Sequence, residues 1–265
     1  MSLRIMTWNI KGESSLVWNN QYTISGDVVD KIIEQKSDVI VLTAFVVASG
    51  IDYLLERLKR KGFVWFQQSR TGKNGILIAI KRELINDGKL IKQVYQENII
   101  SSAIDGCNIL KIRFPLNDGK NICVIGCRLE TGGQKDLKEQ YDSERRSFDG
   151  ILMPHCQKID SDDYCIVCGD FNNGRCLGNL NKKYDSRNYY GKAQINYNLN
   201  LIKDKFSNLG FAMVDNINGE PIPTHKSYFP DDHIFTKRFC IKKCMPVGVG
   251  QLSDHDILVA ECDWD

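Results

Sequence analysis

The stretch YCIVCGDFN occupies residues 164–172: an apolar run of strand length, then Gly169, Asp170, Phe171 and Asn172. A short apolar run that ends at glycine and polar residues is typical of a buried strand. Strand ends that carry Asp or Asn are places where a rigid scaffold presents functional groups. We therefore expect Asp170 and Asn172 to stand at the edge of a buried sheet.

Three other segments also place polar residues at the edge of an apolar strand. They are Thr7-Trp8-Asn9, Asp231-Asp232-His233 and Ser253-Asp254-His255. Singly, each has an ordinary interpretation, because Asp and Asn next to a strand commonly serve as turn residues or helix caps. His233 is predicted to be a structural histidine whose hydrogen bonds are satisfied. His155 and His225 lack such a context, and the sequence assigns them no role.

Apolar runs of strand length alternate along the chain with segments of helical period. The predicted strands are Leu3–Trp8, Asp38–Leu42, Phe63–Gln67, Gly75–Ile80, Leu90–Val94, Asn108–Phe114, Asn121–Cys127, Tyr164–Cys168, Ala212–Val214, His233–Phe235, Phe239–Val247 and Ile257–Cys262. The predicted helices are one capped by Ser25, one containing Ile51 to Leu58, and two from Leu137 to Leu152 and from Ile195 to Leu209. Strand-rich halves with few long helices favour an α/β sandwich of two mixed β-sheets packed face to face, with helices on the outer faces.

Length and composition bound the class of protein. The chain has 265 residues, and no linker-like or repeated stretch divides it, so we expect one domain over residues 1–265. We see no leader and no apolar run long enough to cross a bilayer, and we expect a cytoplasmic monomer. The formal charge of +2 neither indicates nor excludes a polyanionic partner.

The ten cysteines are expected to be reduced, because the chain is long and shows no secretory signal. Cys165 and Cys168 form a C-x-x-C motif within an apolar run. Residues three apart on a strand point to opposite faces, so this pair is not expected to chelate one zinc ion.

Taken together, the four polar segments resemble those of the endonuclease/exonuclease/phosphatase superfamily. Trp8-Asn9 lies near the N-terminus, Gly169-Asp170-Phe171-Asn172 follows a buried strand, and Ser253-Asp254-His255 lies near the C-terminus. The resemblance covers nearly the whole chain in the order of the family. It implies a four-layered sandwich and metal-dependent phosphoester hydrolysis. Family members include abasic-site endonucleases, deoxyribonuclease I-like nucleases, sphingomyelinases and inositol polyphosphate phosphatases.

The resemblance also implies catalytic roles. His255 would contact the scissile phosphate, and Asp232 would orient its ring. Asp170 would orient or deprotonate the attacking water, and Asn172 would donate to a phosphate oxygen. Tyr141 is a loose match to the active-site tyrosine of the family, on the polar edge of its predicted helix.

Asn9 and Asp254 would contact the metal, which the resemblance implies to be magnesium, with manganese as the alternative. The family usually places a glutamate ligand at the end of the second strand, where this chain has Ala44. Loss of that carboxylate would weaken a magnesium site severely, because Mg²⁺ relies on one or two carboxylates. Ala44 has two explanations: the protein is a natural one that binds its ligand without cutting it, or the alanine is a deliberate substitution for glutamate. The other polar residues of the site are all present, which favours a deliberate substitution.

Substitute ligands and substrate contacts are less defined. Glu13 and Glu130 are the alternative carboxylates for the metal. Arg128 follows a strand where many relatives carry histidine, and it suits either phosphate binding or an ordinary surface position. Arg187 lies in the aromatic and basic segment 184–197, which could line a substrate groove. Nucleic acid is the favoured substrate. A silent binding module, or an enzyme for lipid or small-molecule phosphoesters, is the alternative.

Overall fold

The computed structural model describes residues 2–10, 24–47, 49–68, 75–85, 95–100, 108–116, 120–129, 137–173, 197–214, 221–226 and 230–264. The strands in these ranges are β1 (Ser2–Asn9), β2 (Val39–Phe45), β3 (Phe63–Gln68), β4 (Gly75–Lys81), β5 (Tyr95–Ile100), β6 (Asn108–Pro115), β7 (Asn121–Arg128), β8 (Tyr164–Asp170), β9 (Ala212–Met213), β10 (Asp232–Lys237), β11 (Phe239–Val247) and β12 (Ile257–Trp264). The helices are α1 (Gly26–Glu34), α2 (Ile51–Arg60), α3 (Leu137–Ser147), α4 (Met153–Gln157) and α5 (Leu199–Ser207).

The strands form two six-stranded sheets. The first sheet has the order β11-β12-β1-β2-β4-β3, and the second has the order β5-β6-β7-β8-β10-β9. Each sheet contains one parallel pair, β1 with β2 and β7 with β8, and its other pairs are antiparallel. Both sheets are therefore mixed, as the sequence pattern predicts.

Three apolar clusters separate four layers. Between the sheets lie residues such as Ile5, Val41, Ile78, Val124 and Ile166. A second cluster joins the outer face of the second sheet to α3, α4 and α5, and a third joins the outer face of the first sheet to α1 and α2. The expected four-layered sandwich is confirmed.

Gly126 marks a point where the sheets approach closely. A methyl group there would lie 2.8 Å from Ile76 Cγ2 and 2.9 Å from Val41 Cγ1. Cys165 belongs to the outer cluster of the second sheet, whereas Cys168 belongs to the cluster between the sheets. The two thiols of the C-x-x-C motif thus point to opposite faces, which confirms the expectation from strand geometry.

The helices differ from the sequence expectation mainly at their ends. Ser25 caps α1 as predicted, its Oγ accepting from Val28 N at 3.3 Å. A π-helical turn over Phe148–Leu152 joins α3 to α4, so the helical path continues to Gln157. Asn198 caps α5, which ends at Ser207, two residues before the predicted Leu209. The predicted strand Leu90–Val94 and Ile195 lie outside the described residues.

None of the helices in the described ranges is both long enough and apolar enough to cross a membrane.

Candidate functional site

The topology brings polar strand ends from both sheets to one end of the sandwich. The carboxyl end of β1 carries Asn9, and that of β8 carries Asp170. Since β10 runs antiparallel to β8, its first residue, Asp232, stands opposite Asp170. His255 precedes β12, which runs antiparallel to β1. Parallel and antiparallel neighbours therefore deliver these groups to a common edge.

Gly169 has a backbone that only glycine can adopt there. Its φ is +142°, and an added Cβ would lie 1.9 Å from Cys127 O. This close approach of β8 to β7 lets the chain turn Asp170 into the site. The glycine of the Gly-Asp-Phe-Asn segment is thus required by the packing of neighbouring backbones.

Asp170 is completely buried and held on several sides. Its Oδ2 accepts from Asn9 Nδ2 at 2.8 Å and lies 3.4 Å from Arg128 Nε, while its Oδ1 accepts from Asn172 N at 3.0 Å. Burial raises the pKa of Asp170 above its usual value. The charge on His255 opposes this rise, Asp232 adds to it, and Arg128 opposes it.

His255 and Asp232 form a buried imidazole–carboxylate pair. Nδ1 of His255 lies 2.6 Å from Asp232 Oδ2, and Nε2 lies 3.4 Å from Asn9 Nδ2. Burial alone lowers the pKa of His255, but Asp232, followed by Asp170, raises it to about 10. At neutral pH the ring is therefore a cation whose orientation Asp232 sets.

Ser253 attaches the segment that carries His255 to the end of β1. Its Oγ donates to Asn9 O at 2.7 Å and accepts from His255 N at 3.1 Å. The indole N–H of Trp8 donates to His255 O at 2.9 Å. These bonds hold His255 and Asn9 in one rigid unit.

A second polar group, His225 and Asp254, flanks His255. His225 pairs with His255 in an isolated antiparallel bridge, and their rings lie 4.8 Å apart between centroids. His225 Nε2 lies 3.7 Å from Asp254 Oδ2. The donor atoms of His225, Asp254 and His255 all lie within 4.8 Å of one another, which makes them a candidate group for holding a metal ion.

The residues present fit a magnesium site poorly. Mg²⁺ requires oxygen ligands and usually one or two carboxylates. Asp254 is the one carboxylate of this candidate group, whose other donors are imidazole nitrogens. The side chain of Asn9 is directed to Asp170 and His255 through its Nδ2. Glu13 and Glu130, the proposed substitute ligands, lie outside the described residues.

Ala44 stands at the end of β2, as expected. The preceding residue, Thr43, pairs with Asn9 in the parallel ladder. Ala44 has a φ of 50°, and the ladder between β2 and β4 shifts its register between Leu42 and Phe45. It is buried, yet among the described residues the three apolar clusters do not include it. A non-glycine residue in the left-handed region at a strand end is typical of strained functional positions.

The sequence allowed Arg128 to be either a phosphate-binding residue or an ordinary surface arginine. The structure contradicts the surface position. Its side chain is 17% exposed and pairs with Asp170, opposite it on β8. Nε and Nη1 are buried and form no hydrogen bond with the described residues. Asn172 lies beside Asp170 with a φ of 47°, and its Nδ2 donates to Leu129 O. Its second amide hydrogen is left for other acceptors.

Two residues near these strand ends have side chains in the apolar cluster on the outer face of the second sheet. Tyr141 is buried in the cluster under the second sheet and not on a polar helix edge as predicted. His233 faces the same cluster, where its Nε2 donates to Asn173 Oδ1 at 2.6 Å. Burial lowers the pKa of His233 to about 3, so the ring is neutral and structural, which confirms the sequence interpretation. Arg187 lies outside the described residues.

Sequence reasoning missed His225 and Thr224. Thr224 Oγ1 accepts from Asp232 N at 3.0 Å and so fixes the start of β10. Neither residue lies in a named strand or helix, so no periodic pattern marked the segment. Both residues belong to the run Pro223-Thr224-His225, which matches no functional motif. Only folding brings His225 next to His255.

No family model and no curated protein matches the chain in sequence. Solved structures do match it in fold. D. rerio TDP2 complexed with single strand DNA product superimposes with a TM-score of 0.64 at 14% identity, covering 99% of both chains. An AP endonuclease from Archaeoglobus fulgidus gives 0.62 at 18% identity, also covering 99% of both.

A protein of another kind shares the architecture. A mutant of Cimex nitrophorin, in its ferrous NO complex, gives a TM-score of 0.58 at 14% identity and covers 99% of this chain and 97% of its own. Identities this low establish the fold alone. The two sheets, the four layers and these superpositions agree, and the chain has the endonuclease/exonuclease/phosphatase fold.

Proposed function

We propose that the chain is a phosphoester hydrolase whose substrate is a nucleic-acid phosphodiester. The observation that carries this proposal is the placement of a buried carboxylate, Asp170, and a buried cationic imidazole, His255, on two sides of Asn9, whose Nδ2 donates to Asp170 Oδ2 and lies 3.4 Å from His255 Nε2. Attack on a phosphate requires a group that accepts a proton from water and a cation that stabilises the anionic centre. Both stand at the same edge of the sandwich.

Asp170 is suited to orient the attacking water and accept its proton. Burial raises the pKa of Asp170, which makes the carboxylate a stronger base than a solvent-exposed aspartate. Asn9 and Asn172 N hold the two carboxylate oxygens, so the carboxylate does not need to reorganise when water binds. Pre-organisation of this kind lowers the barrier to the reaction.

His255 is suited to hold the phosphate. Its Nδ1 is bound to Asp232, so Nε2 is the nitrogen that faces the site. Arg128 adds a second cation beside Asp170, with buried N–H groups that form no hydrogen bond with the described residues. Buried donors usually have acceptors, and phosphate oxygens would supply them.

Bound divalent cations supply charge neutralisation at the phosphoryl and leaving oxygens. Ala44 offers no carboxylate for such an ion. We therefore expect the Ala44 chain to hydrolyse its substrate slowly with Mg²⁺, and an Ala44→Glu variant to hydrolyse it faster. Asp254 and Asn9 would be the oxygen ligands next to the new glutamate.

Nucleic acid is the substrate class that we favour. Support comes from the fold likeness to TDP2 holding a single strand DNA product and to an AP endonuclease. Phosphomonoesters and lipid phosphoesters use the same chemistry at phosphorus, so the substrate must be decided by experiment.

The test is a cleavage panel on the chain and its Ala44→Glu and Ala44→Gln variants, with Mg²⁺ or Mn²⁺. Plasmid, single-stranded DNA, RNA, nucleotides and phosphoinositides form the panel. Cleavage of a nucleic acid by Ala44→Glu, reduced in Ala44→Gln and abolished by adding Asp170→Asn, supports the proposal. Cleavage of phosphoinositides alone would replace nucleic acid with a lipid substrate.

A silent binding module is the second candidate, and Ala44 is the observation that favours it. The missing carboxylate leaves a phosphate-binding edge without the usual acidic ligand. The nitrophorin shows that this fold also occurs outside the named nucleases and phosphatases. Absence of cleavage by Ala44→Glu on all five substrates, together with retained oligonucleotide binding, would favour the module.

A further inference from the structure

The part of the site formed by His225 and Asp254 has a donor set that does not match Mg²⁺. His225 supplies an imidazole nitrogen and Asp254 a carboxylate oxygen, 3.7 Å apart. Two ligands of one ion, each at about 2.1 Å from it, lie on the order of 3 to 3.5 Å apart. A small movement of either side chain would therefore allow both to bind the same ion.

Exposure of the two side chains also suits an ion that arrives from solvent. The His225 side chain is 25% exposed and that of Asp254 is 28% exposed, so water and ions can reach both donors. The surrounding backbone is held firmly, because Lys226 N donates to Asp254 O at 2.8 Å and Asp256 N donates to Thr224 O at 2.6 Å. The two ligands thus stand on segments fixed to each other.

We propose that His225 and Asp254 bind a divalent transition-metal ion, with His255 beside it, in place of the Mg²⁺ that the fold would suggest. Imidazole nitrogen suits Zn²⁺, Fe²⁺ and Ni²⁺, whereas Mg²⁺ prefers carboxylate, carbonyl and water oxygens. The imidazole of His225 beside the carboxylate of Asp254 shifts the metal preference of this pair away from Mg²⁺. This inference deepens the proposed function by naming the class of metal.

Binding of the metal alone tests the inference, so its outcome does not depend on hydrolysis. Mn²⁺, Zn²⁺ and Mg²⁺ are each titrated into the metal-free chain by calorimetry, without substrate. The affinity should increase from Mg²⁺ to Mn²⁺ to Zn²⁺. His225→Ala and His225→Gln should weaken Mn²⁺ and Zn²⁺ binding by about ten-fold or more, with less than about two-fold effect on Mg²⁺.

His155→Ala is the matched control, because His155 lies on α4 away from this group, and it should change none of the affinities. Pulsed electron paramagnetic resonance of the Mn²⁺ complex should show coupling to a nitrogen that is diminished in both His225 variants and kept in His155→Ala. Circular dichroism checks that each variant is folded.

Equal Zn²⁺ affinity in the parent and in both folded His225 variants would overturn the inference, as would a Mn²⁺ complex of the parent without nitrogen coupling. His225 would then be only an ion-pair partner of Asp254. If nucleic-acid cleavage failed while these affinities behaved as expected, the proposed function would be lost and the metal site would stand.

Discussion

The two sheets contribute unequally to the shared edge. From the second sheet come Arg128, Asp170 and Asp232, of which the carboxylates are fully buried and all three carry specific polar contacts. The strand ends of the first sheet carry Asn9 and the apolar Ala44, and the segment before β12 adds His255 and the partly exposed Asp254. The strand ends of the second sheet thus provide three charged groups, whereas those of the first provide an amide and a methyl group.

This difference concerns the strand ends alone, because Asp254 and His255 are neighbours in the chain and stand together before β12. A buried carboxylate network is costly to maintain, because each charge must find a partner away from water. Asp170 and Asp232 both have such partners, and His255 joins them. Ala44 has no polar side chain to add to these contacts, so we expect a carboxylate introduced at position 44 to change cation binding and to leave them in place.

The largest effect should come from the second sheet. Asp170→Asn in the Ala44→Glu background should lower kcat by about 10³-fold, since general acid–base catalysis contributes about 10² to 10⁴. Single-turnover cleavage measures it. Asp160→Asn is the matched control, because Asp160 is an exposed carboxylate paired with Arg113. A loss below ten-fold would show that Asp170 does not handle the proton.

Asp232→Asn should lower the pKa of His255 from about 10 towards or below its ordinary value of 6.5, because the burial cost remains while the carboxylate is lost. The raised pKa stabilises the fold at pH below about 6.5, and that contribution is lost as the pH rises from there through about 10. The parent should therefore lose on the order of 5 kcal/mol of unfolding free energy over this range.

In Asp232→Asn, measured with a chelator present, the unfolding free energy should depend less on pH than it does in the parent. Denaturant unfolding at several pH values and nuclear magnetic resonance of the His255 ring measure the two effects. An unchanged ring titration in Asp232→Asn would mean that Asp232 does not hold His255 charged.

At the first sheet, Ala44→Glu should raise Mg²⁺ affinity by about ten-fold or more, and Ala44→Gln by less, because only glutamate restores an anionic oxygen ligand. Calorimetric titration without substrate measures this. If both variants raised Mg²⁺ affinity equally, the charge of the side chain at position 44 would not matter. If neither raised it, position 44 would lie outside the cation site.

The smallest effect concerns Arg128. If the ligand is a nucleic acid, Arg128→Gln should flatten the slope of log affinity against log salt by about one for each phosphate that the arginine binds. Salt titrations of short single- and double-stranded oligonucleotides on the Ala44 chain measure it, with Arg60→Gln as the control. Arg60 is an exposed arginine paired with Glu56 on α2. If Arg128→Gln and the parent had the same slope, Arg128 would not bind phosphate and would serve only as the ion-pair partner of Asp170.

The sandwich could be predicted from the sequence because strand length, apolar pattern and polar strand ends are local properties. Asn9, Asp170, Asp232 and His255 could also be found locally, because each follows or precedes an apolar run. His225 could not be predicted, because its neighbour His255 comes from a distant segment and pairs with it only after folding.

Burial was the other property that sequence could not supply. The interpretation of Arg128 depended on whether its strand end faces solvent or Asp170, and the surface alternative was wrong. Tyr141 was expected on a polar helix edge, but α3 turns that face towards the second sheet. The opposite pKa shifts of His233 and His255 likewise follow from their partners in space.

The bond from Ser253 to the carbonyl of Asn9 spans 244 residues of chain. β1 is also hydrogen-bonded to β12, the last strand of the described part. While the protein is being synthesised, β1 therefore lacks this neighbour until β12 has left the ribosome. Asp170 is made much earlier than His255, and contacts this distant in sequence form late. The shared edge thus cannot assemble before β12 has emerged, and any activity of this site has to wait for residues 253–264.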